Sequence, residues 1–122
     1  MLTRLVCTTM RLPEETNVHW LLEGERRPWI VKYTTEGTWH TDIFQNTSLE
    51  ERTWSLCVVL HSSKSMFLIE NNINQVKSKS SVIIFQSHMR HRGMVEKGGS
   101  RIVLAAEFKL DFEAQTLVLQ RN

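Results

Sequence analysis

From Trp29 onward, apolar residues come in short runs cut by polar and turn-forming residues. Trp29-Ile30-Val31-Lys32-Tyr33 is aromatic and β-branched, which suits a half-buried pleated surface. Glu36-Gly37 marks a bend, and Trp39 to Phe44 predicts a second strand. Gln45 to Arg52 is polar and loop-like. Thr53 to His61 is strongly apolar and predicts a strand buried on both faces. Ser62 to Ser65 turns the chain into Met66 to Glu70, and Asn71 to Asn74 turns it again. Gln75 to Ser80 alternates weakly, Ser81 to Phe85 is apolar, and Gly98-Gly99 is a tight turn. Arg101 to Leu110 and Thr116 to Leu119 complete the set. Roughly eight short strands spaced by turn residues imply an all-β sandwich or barrel.

The first 28 residues have a different period. Residues 3–12 are apolar-rich and predict a short strand. Pro13-Glu14-Glu15 has the form of a helix start, with proline in the first turn and acids near the positive end of the dipole. That helix is expected to run to Glu23, with Val18, Leu21 and Leu22 on one face and Gly24 closing it. The expected fold is therefore mainly β with one short N-terminal helix.

Composition narrows the partners. A chain of 122 residues fits one domain. Fifteen Lys and Arg against thirteen Asp and Glu, scattered along the chain, leave a net charge of +2, which argues neither for nor against nucleic acid. Cys7 and Cys57 form no C-x-x-C, and Cys57 lies in an apolar run where a buried thiol is expected. Met1-Leu2-Thr3-Arg4 lacks the apolar core of a signal peptide, and no apolar run reaches the length of a membrane span. These features read as a cytoplasmic protein with no membrane partner.

The chemistry lies in four residues. His40 and Asp42 are two apart on a predicted strand, so both side chains face the same way. His91 lies 49 residues after Asp42, and Arg101 ten further on. Two imidazoles and a carboxylate on three corners of an octahedron make the facial triad of non-haem Fe(II) oxygenases, which leaves three positions open. His88 is the rival third ligand, but it lacks the ten-residue offset to an arginine. His19 and His61 read as structural or exposed, Met89 and Met94 as loop packing, and Arg90 and Arg92 as a solvated face.

Three segments carry a family resemblance. They are YTTEGTWHTD (Tyr33 to Asp42), TWSLCVVLH (Thr53 to His61) and VIIFQSHMRHRGMVEKGGSRIVLAAEF (Val82 to Phe108). Together they resemble the 2-oxoglutarate and Fe(II)-dependent dioxygenase superfamily, of the prolyl 4-hydroxylase type. His40 and Asp42 take the H-x-D place, Phe85-Gln86-Ser87 the F-P-S place, His91 the distal histidine place and Gly99-Ser100-Arg101 the Gly-x-Arg place. The sequence departs from the family at Gln86, in lacking a Gly-Gly-Glu-like segment near Met66 to Glu70, and in having only 39 residues before His40.

The resemblance implies a double-stranded β-helix, or jelly roll, with residues 1–28 as a buttress and 29–120 as the core. The buttress would be one helix or a second copy, so monomer and homodimer both stay open. It also implies Fe(II) held by His40, Asp42 and His91, with O₂ and 2-oxoglutarate as cosubstrates. Arg101 would pair with the far carboxylate of 2-oxoglutarate, Tyr33 would make a second contact to it, and Trp39 and Trp54 would wall the pocket. The implied activity is hydroxylation of a C–H bond in a protein side chain, prolyl among them, or in a small molecule, with release of succinate and CO₂. Specificity would lie in loops at 43–52 and 62–75. The alternatives are a nucleic-acid alkylation-repair oxygenase and an inactive or cupin-like metal-binding module. Glu107, six residues beyond Arg101 where the repair branch has a second arginine, counts against the first. The H-x-D pattern counts against a cupin, which offers three histidines and a glutamate.

Overall fold

The computed structural model describes residues 1–23, 27–35, 37–42, 52–70, 75–78 and 80–121. Its elements run α1 (Leu2–Met10), β1 (Val18–Trp20), β2 (Trp29–Tyr33), β3 (Trp54–Glu70), β4 (Gln75–Ser78), β5 (Val82–Gln86), β6 (Arg90–Leu110) and α2 (Phe112–Gln120). β3 and β6 form one long antiparallel ribbon, from Trp54 opposite Phe108 to Glu70 opposite Arg90. β1 and β2 pair with the C-terminal half of β6, and β5 pairs with the N-terminal half of β3. β4 pairs with the C-terminal half of β3, and His40 bridges to His91 on the N-terminal half of β6.

The ribbon doubles over on itself. Cys57 from the first half of β3 and Phe67 from the second share one core cluster with Ile83, Phe85 and Val103. The corner is marked by register shifts between Val59 and His61 and between Ser63 and Ser65. Lys64 (φ 50°) and Gly98 (φ 84°) take left-handed backbone there. At Gly99 a Cβ would come within 2.5 Å of the Ser63 carbonyl oxygen, so only glycine lets the two strands turn together. One layer is then β2, the end of β6, the start of β3 and β5; the facing layer is residue 40, the start of β6, the end of β3 and β4. This is a double-stranded β-helix, mainly β with a short N-terminal helix, as expected.

The boundaries differ from the sequence expectations in several places; of the expected strand Trp39 to Phe44, residues 39–42 form only an isolated bridge at His40, and β6 starts at Arg90 rather than Arg101. Ser62 to Ser65 is a bent corner inside a continuous ladder rather than a strand break, because β6 bends at Gly98-Gly99 beside it. Residues 62–70 are therefore strand and not a specificity loop. The N-terminal helix is Leu2–Met10, not 13–23. Pro13 to Thr16 makes only a turn, closed by Thr16 N–H to Pro13 O at 3.0 Å, and Val18–Trp20 is strand β1. The chain also ends in a helix, α2, where Thr116 to Leu119 predicts a strand.

Packing explains both helices. Leu2, Val6 and Met10 recur every four residues and face the sheet, and Val118 of α2 joins them over Trp54, Leu56, Phe108 and Leu110. Two indoles anchor the layer: Trp54 Nε1–H donates to Gln115 Oε1 at 2.8 Å, and Trp20 Nε1–H to Thr3 Oγ1 at 2.9 Å. Helices on one side and the barrel interior on the other bury Thr53 to Cys57 on both faces, while Leu60 and His61 run past the helices into solvent. Phe108 is fully buried in this cluster. Phe108→Ala should cost about 3–5 kcal/mol of stability by chemical denaturation, from lost burial and the cavity left behind.

Candidate metal centre

His40 and His91 sit directly opposite one another across the bridge. His40 N–H donates to His91 O at 3.1 Å, and His91 N–H donates back to His40 O at 2.9 Å. Directly opposed residues project to the same face, so the imidazoles meet edge to face with centroids 4.3 Å apart. Asp42 N–H donates to Ser87 O at 3.0 Å, which carries the pairing to the third residue.

The main chain sets the tautomer of both rings. His40 Nδ1 lies 2.9 Å from Thr38 O, and His91 Nδ1 lies 2.8 Å from Met89 O. A carbonyl oxygen only accepts, so each Nδ1 carries the proton and each Nε2 of the neutral ring keeps its lone pair. Those lone pairs converge with Asp42. Asp42 Oδ1 is 3.1 Å from His91 Nε2 and 3.8 Å from His40 Nε2, and the ligand atoms of all three residues lie within 4.8 Å of one another. Acceptors gathered this closely favour a positive charge between them, and two imidazoles with one carboxylate could hold a divalent transition metal.

The supports of the triad are unequal. The His91 side chain is 5% exposed, packed between Phe85 and Phe67 with centroid distances of 4.5 and 5.6 Å. The His40 side chain is 53% exposed and forms the open side. Asp42 is half-buried, and its second oxygen, Oδ2, accepts from Ser55 Oγ at 2.6 Å. Burial pushes the Asp42 carboxyl up. The neighbouring His91, the Ser55 hydroxyl and His40 outweigh that and leave it below its ordinary value.

Triad and Arg101 share one cavity of about 690 Å³, also lined by Tyr33, Cys57 and Phe67. Arg101 is 2% exposed, and its guanidinium carbon lies 5.8 Å from the centre of the Phe67 ring. Its Nη2 has no hydrogen-bond partner, and no carboxylate lies within ion-pair range of it among the described residues. Tyr33 is its cross-strand partner. Burial raises the Tyr33 phenol, helped by Cys57 and Asp42 and opposed by Arg101. Burial likewise raises the Cys57 thiol, with Arg101 pulling the other way.

Other expectations fall elsewhere. Trp39 does not wall the cavity; it stacks outside with Arg92 and Arg90, whose guanidinium carbons are 5.3 and 5.5 Å from its ring. Arg90 also pairs with Glu70 at 3.3 Å, so this face is a stacked cluster rather than simply solvated charge. Trp54 lies under the helices, not in the cavity. His88 stands outside the group of three, half-buried in the turn before β6, its pKa lowered by burial and by Arg52. His19 pairs with Asp111 at the surface, at 2.7 Å. The expected loop at 43–52 falls, except for Arg52, outside the described residues. Sequence reasoning did not single out Ser55, nor the carbonyls of Thr38 and Met89. Hydroxyls and main-chain acceptors on strands carry no sequence signal of their own.

No protein-family model matches this sequence, and none of the curated proteins compared with it matches. Among solved structures, a cupin-2 domain containing protein from Shewanella frigidimarina is similar, with 10% identity and a TM-score of 0.44 over 87% of this chain and 91% of that one.

Titration with Mn(II), read by loss of the free-ion electron paramagnetic resonance signal, should give one site per chain. His91→Ala and Asp42→Ala should each abolish it at micromolar protein. In the metal-free protein the depressed Asp42 carboxyl adds stability above its ordinary pKa and loses it as pH falls through the lower folded value. Denaturation midpoints should therefore drop more steeply below about pH 4 in the wild type than in Asp42→Asn.

Proposed function

We propose that this protein is an Fe(II)- and 2-oxoglutarate-dependent dioxygenase that hydroxylates a C–H bond of a protein side chain, prolyl among the candidates, or of a small molecule. One observation carries the reading: a buried arginine without an acidic partner among the described residues shares a cavity with a two-histidine, one-carboxylate cluster. A buried cation is costly when unpaired, so a ligand carboxylate at Arg101 would relieve a strain already present in the fold. The family resemblance of Tyr33 to Phe108 supplies the identity of that ligand.

When bound, Fe(II) with 2-oxoglutarate and O₂ supplies the oxidising chemistry, and succinate and CO₂ are the co-products. The rest falls to the protein. His40 Nε2, His91 Nε2 and Asp42 Oδ1 would hold one face of the ion and leave the other face to the cavity. The guanidinium of Arg101 would clamp the far carboxylate of the cosubstrate and so fix where its oxo-acid end reaches. Tyr33, a neutral phenol, can donate its O–H to the same carboxylate. Phe67 and Phe85 exclude water behind His91. A cavity of about 690 Å³ holds a five-carbon diacid and still admits a substrate side chain. Glu107 also lines this cavity.

Anaerobic addition of Fe(II) and 2-oxoglutarate should produce a weak visible charge-transfer band. A protein that binds iron without developing the band on adding the diacid would be a metal-binding module and not an oxygenase. Arg101→Ala should weaken 2-oxoglutarate by about 3 kcal/mol, or roughly 100-fold, in calorimetry on the Mn(II) form. It should leave Mn(II) affinity itself nearly unchanged.

A further inference from the structure

Behind the triad stand two buried hydroxyls that the metal reading does not use. Ser55 is 4% exposed and Ser87 is fully buried. Ser55 Oγ lies 2.6 Å from Asp42 Oδ2, and Ser87 Oγ lies 2.8 Å from Ser55 Oγ. We infer that Ser55 and Ser87 are positioning residues that restrict Asp42 to metal coordination through Oδ1 alone, and so keep three metal positions open. The inference rests on the metal centre described above.

Counting protons gives the direction of the chain. A carboxylate only accepts, so the single Ser55 hydroxyl proton goes to Asp42 Oδ2. Ser55 then has only lone pairs to offer Ser87, which makes Ser87 the donor of the second bond. The sequence Ser87 O–H to Ser55 O–H to Asp42 Oδ2 thus has one sense, and each bond polarises the next. The backbone fixes both ends. Ser87 N–H donates to Thr53 O at 3.0 Å, and Ser87 O accepts from Asp42 N–H at 3.0 Å. Ser55 is on β3, facing Phe85 across the ladder, and Ser87 is two residues further along.

The consequence is a coordination number. For Asp42 to chelate with both oxygens, Oδ2 would have to turn toward the ion and away from the direction in which Ser55 now holds it, weakening the bond of a buried hydroxyl proton. A chelating carboxylate would also occupy a fourth metal position and leave two. A ligand that takes two positions, with a third for a diatomic gas, fits only if Asp42 stays monodentate. The hydroxyl pair therefore protects the capacity of the site as well as its affinity.

The test uses Mn(II) on the intact chain, with two readouts: the dissociation constant and the number of metal-bound waters, counted from ¹⁷O-water line broadening. The wild type should show three waters, the complement of a facial triad. Ser55→Ala should bind about 10-fold more weakly and show two waters, because the freed Oδ2 moves onto the ion. Ser55→Thr, which keeps a hydroxyl, should restore three. Ser87→Ala, which keeps the Ser55 donation but removes the group behind it, should lie between wild type and Ser55→Ala in affinity. A purely structural role for the serines would shift the melting temperature and leave the water count alone. Three waters and an affinity within about twofold of wild type in Ser55→Ala would overturn the relay while the metal centre stood. If Ser55→Ala does not fold, wild-type affinity in Ser87→Ala would overturn it instead. No Mn(II) binding by the wild type would overturn both.

Discussion

Two main-chain carbonyls decide what this cavity can be. Thr38 O and Met89 O each take the Nδ1 proton of a histidine two residues away, and this leaves both Nε2 lone pairs facing one carboxylate oxygen. Were either ring to carry its proton on Nε2, it would donate to Asp42 and the cluster would close as an ordinary hydrogen-bonded pair. Held as they are, the acceptors crowd together and favour a cation. The strand geometry behind this is simple: the His40–His91 bridge places two imidazoles on one face, and the i, i+2 rule adds Asp42.

The bend in the long ribbon gives the site its second half. His91 and Arg101 are on the same strand, and a straight strand would separate them by about 33 Å at 3.3 Å per residue. Gly98 and Gly99 fold β6 over, the Ser62–Ser65 corner of β3 follows, and both residues then line one cavity. Folding also buries the Arg101 guanidinium among Phe67, Cys57 and Tyr33, where no described acid meets it.

Much of this was legible in the chain because strand signals and ligand spacing are local. Trp29–Tyr33 and Val82–Phe85 are apolar, β-branched runs, and they became β2 and β5 almost residue for residue. His40, Asp42, His91 and Arg101 stood at offsets that a rolled sheet brings together. The helices were misread because their cues competed with stronger-looking ones. Pro13-Glu14-Glu15 carried start chemistry, with Val18, Leu21 and Leu22 at helical spacing beyond it, but Val18–Trp20 pairs with β6 as a strand instead. Leu2, Val6 and Met10 had an apolar stripe, hidden among β-branched Thr3, Thr8 and Thr9. Thr116 to Leu119 was apolar enough for a strand, yet Gln115 and Val118 face the sheet at helical spacing. The contact between Ser55 and Ser87 was invisible for another reason: it comes from cross-strand register, which no single segment records.

The most direct measurement is a crystal structure of the protein with Mn(II) and N-oxalylglycine, an unreactive mimic of 2-oxoglutarate. One ion should be bound by His40 Nε2, His91 Nε2 and a single oxygen of Asp42, chelated by the oxalyl group, with the far carboxylate of the mimic on Arg101. A metal bound elsewhere, or an ordered mimic whose far carboxylate leaves Arg101 without a partner, would contradict that arrangement.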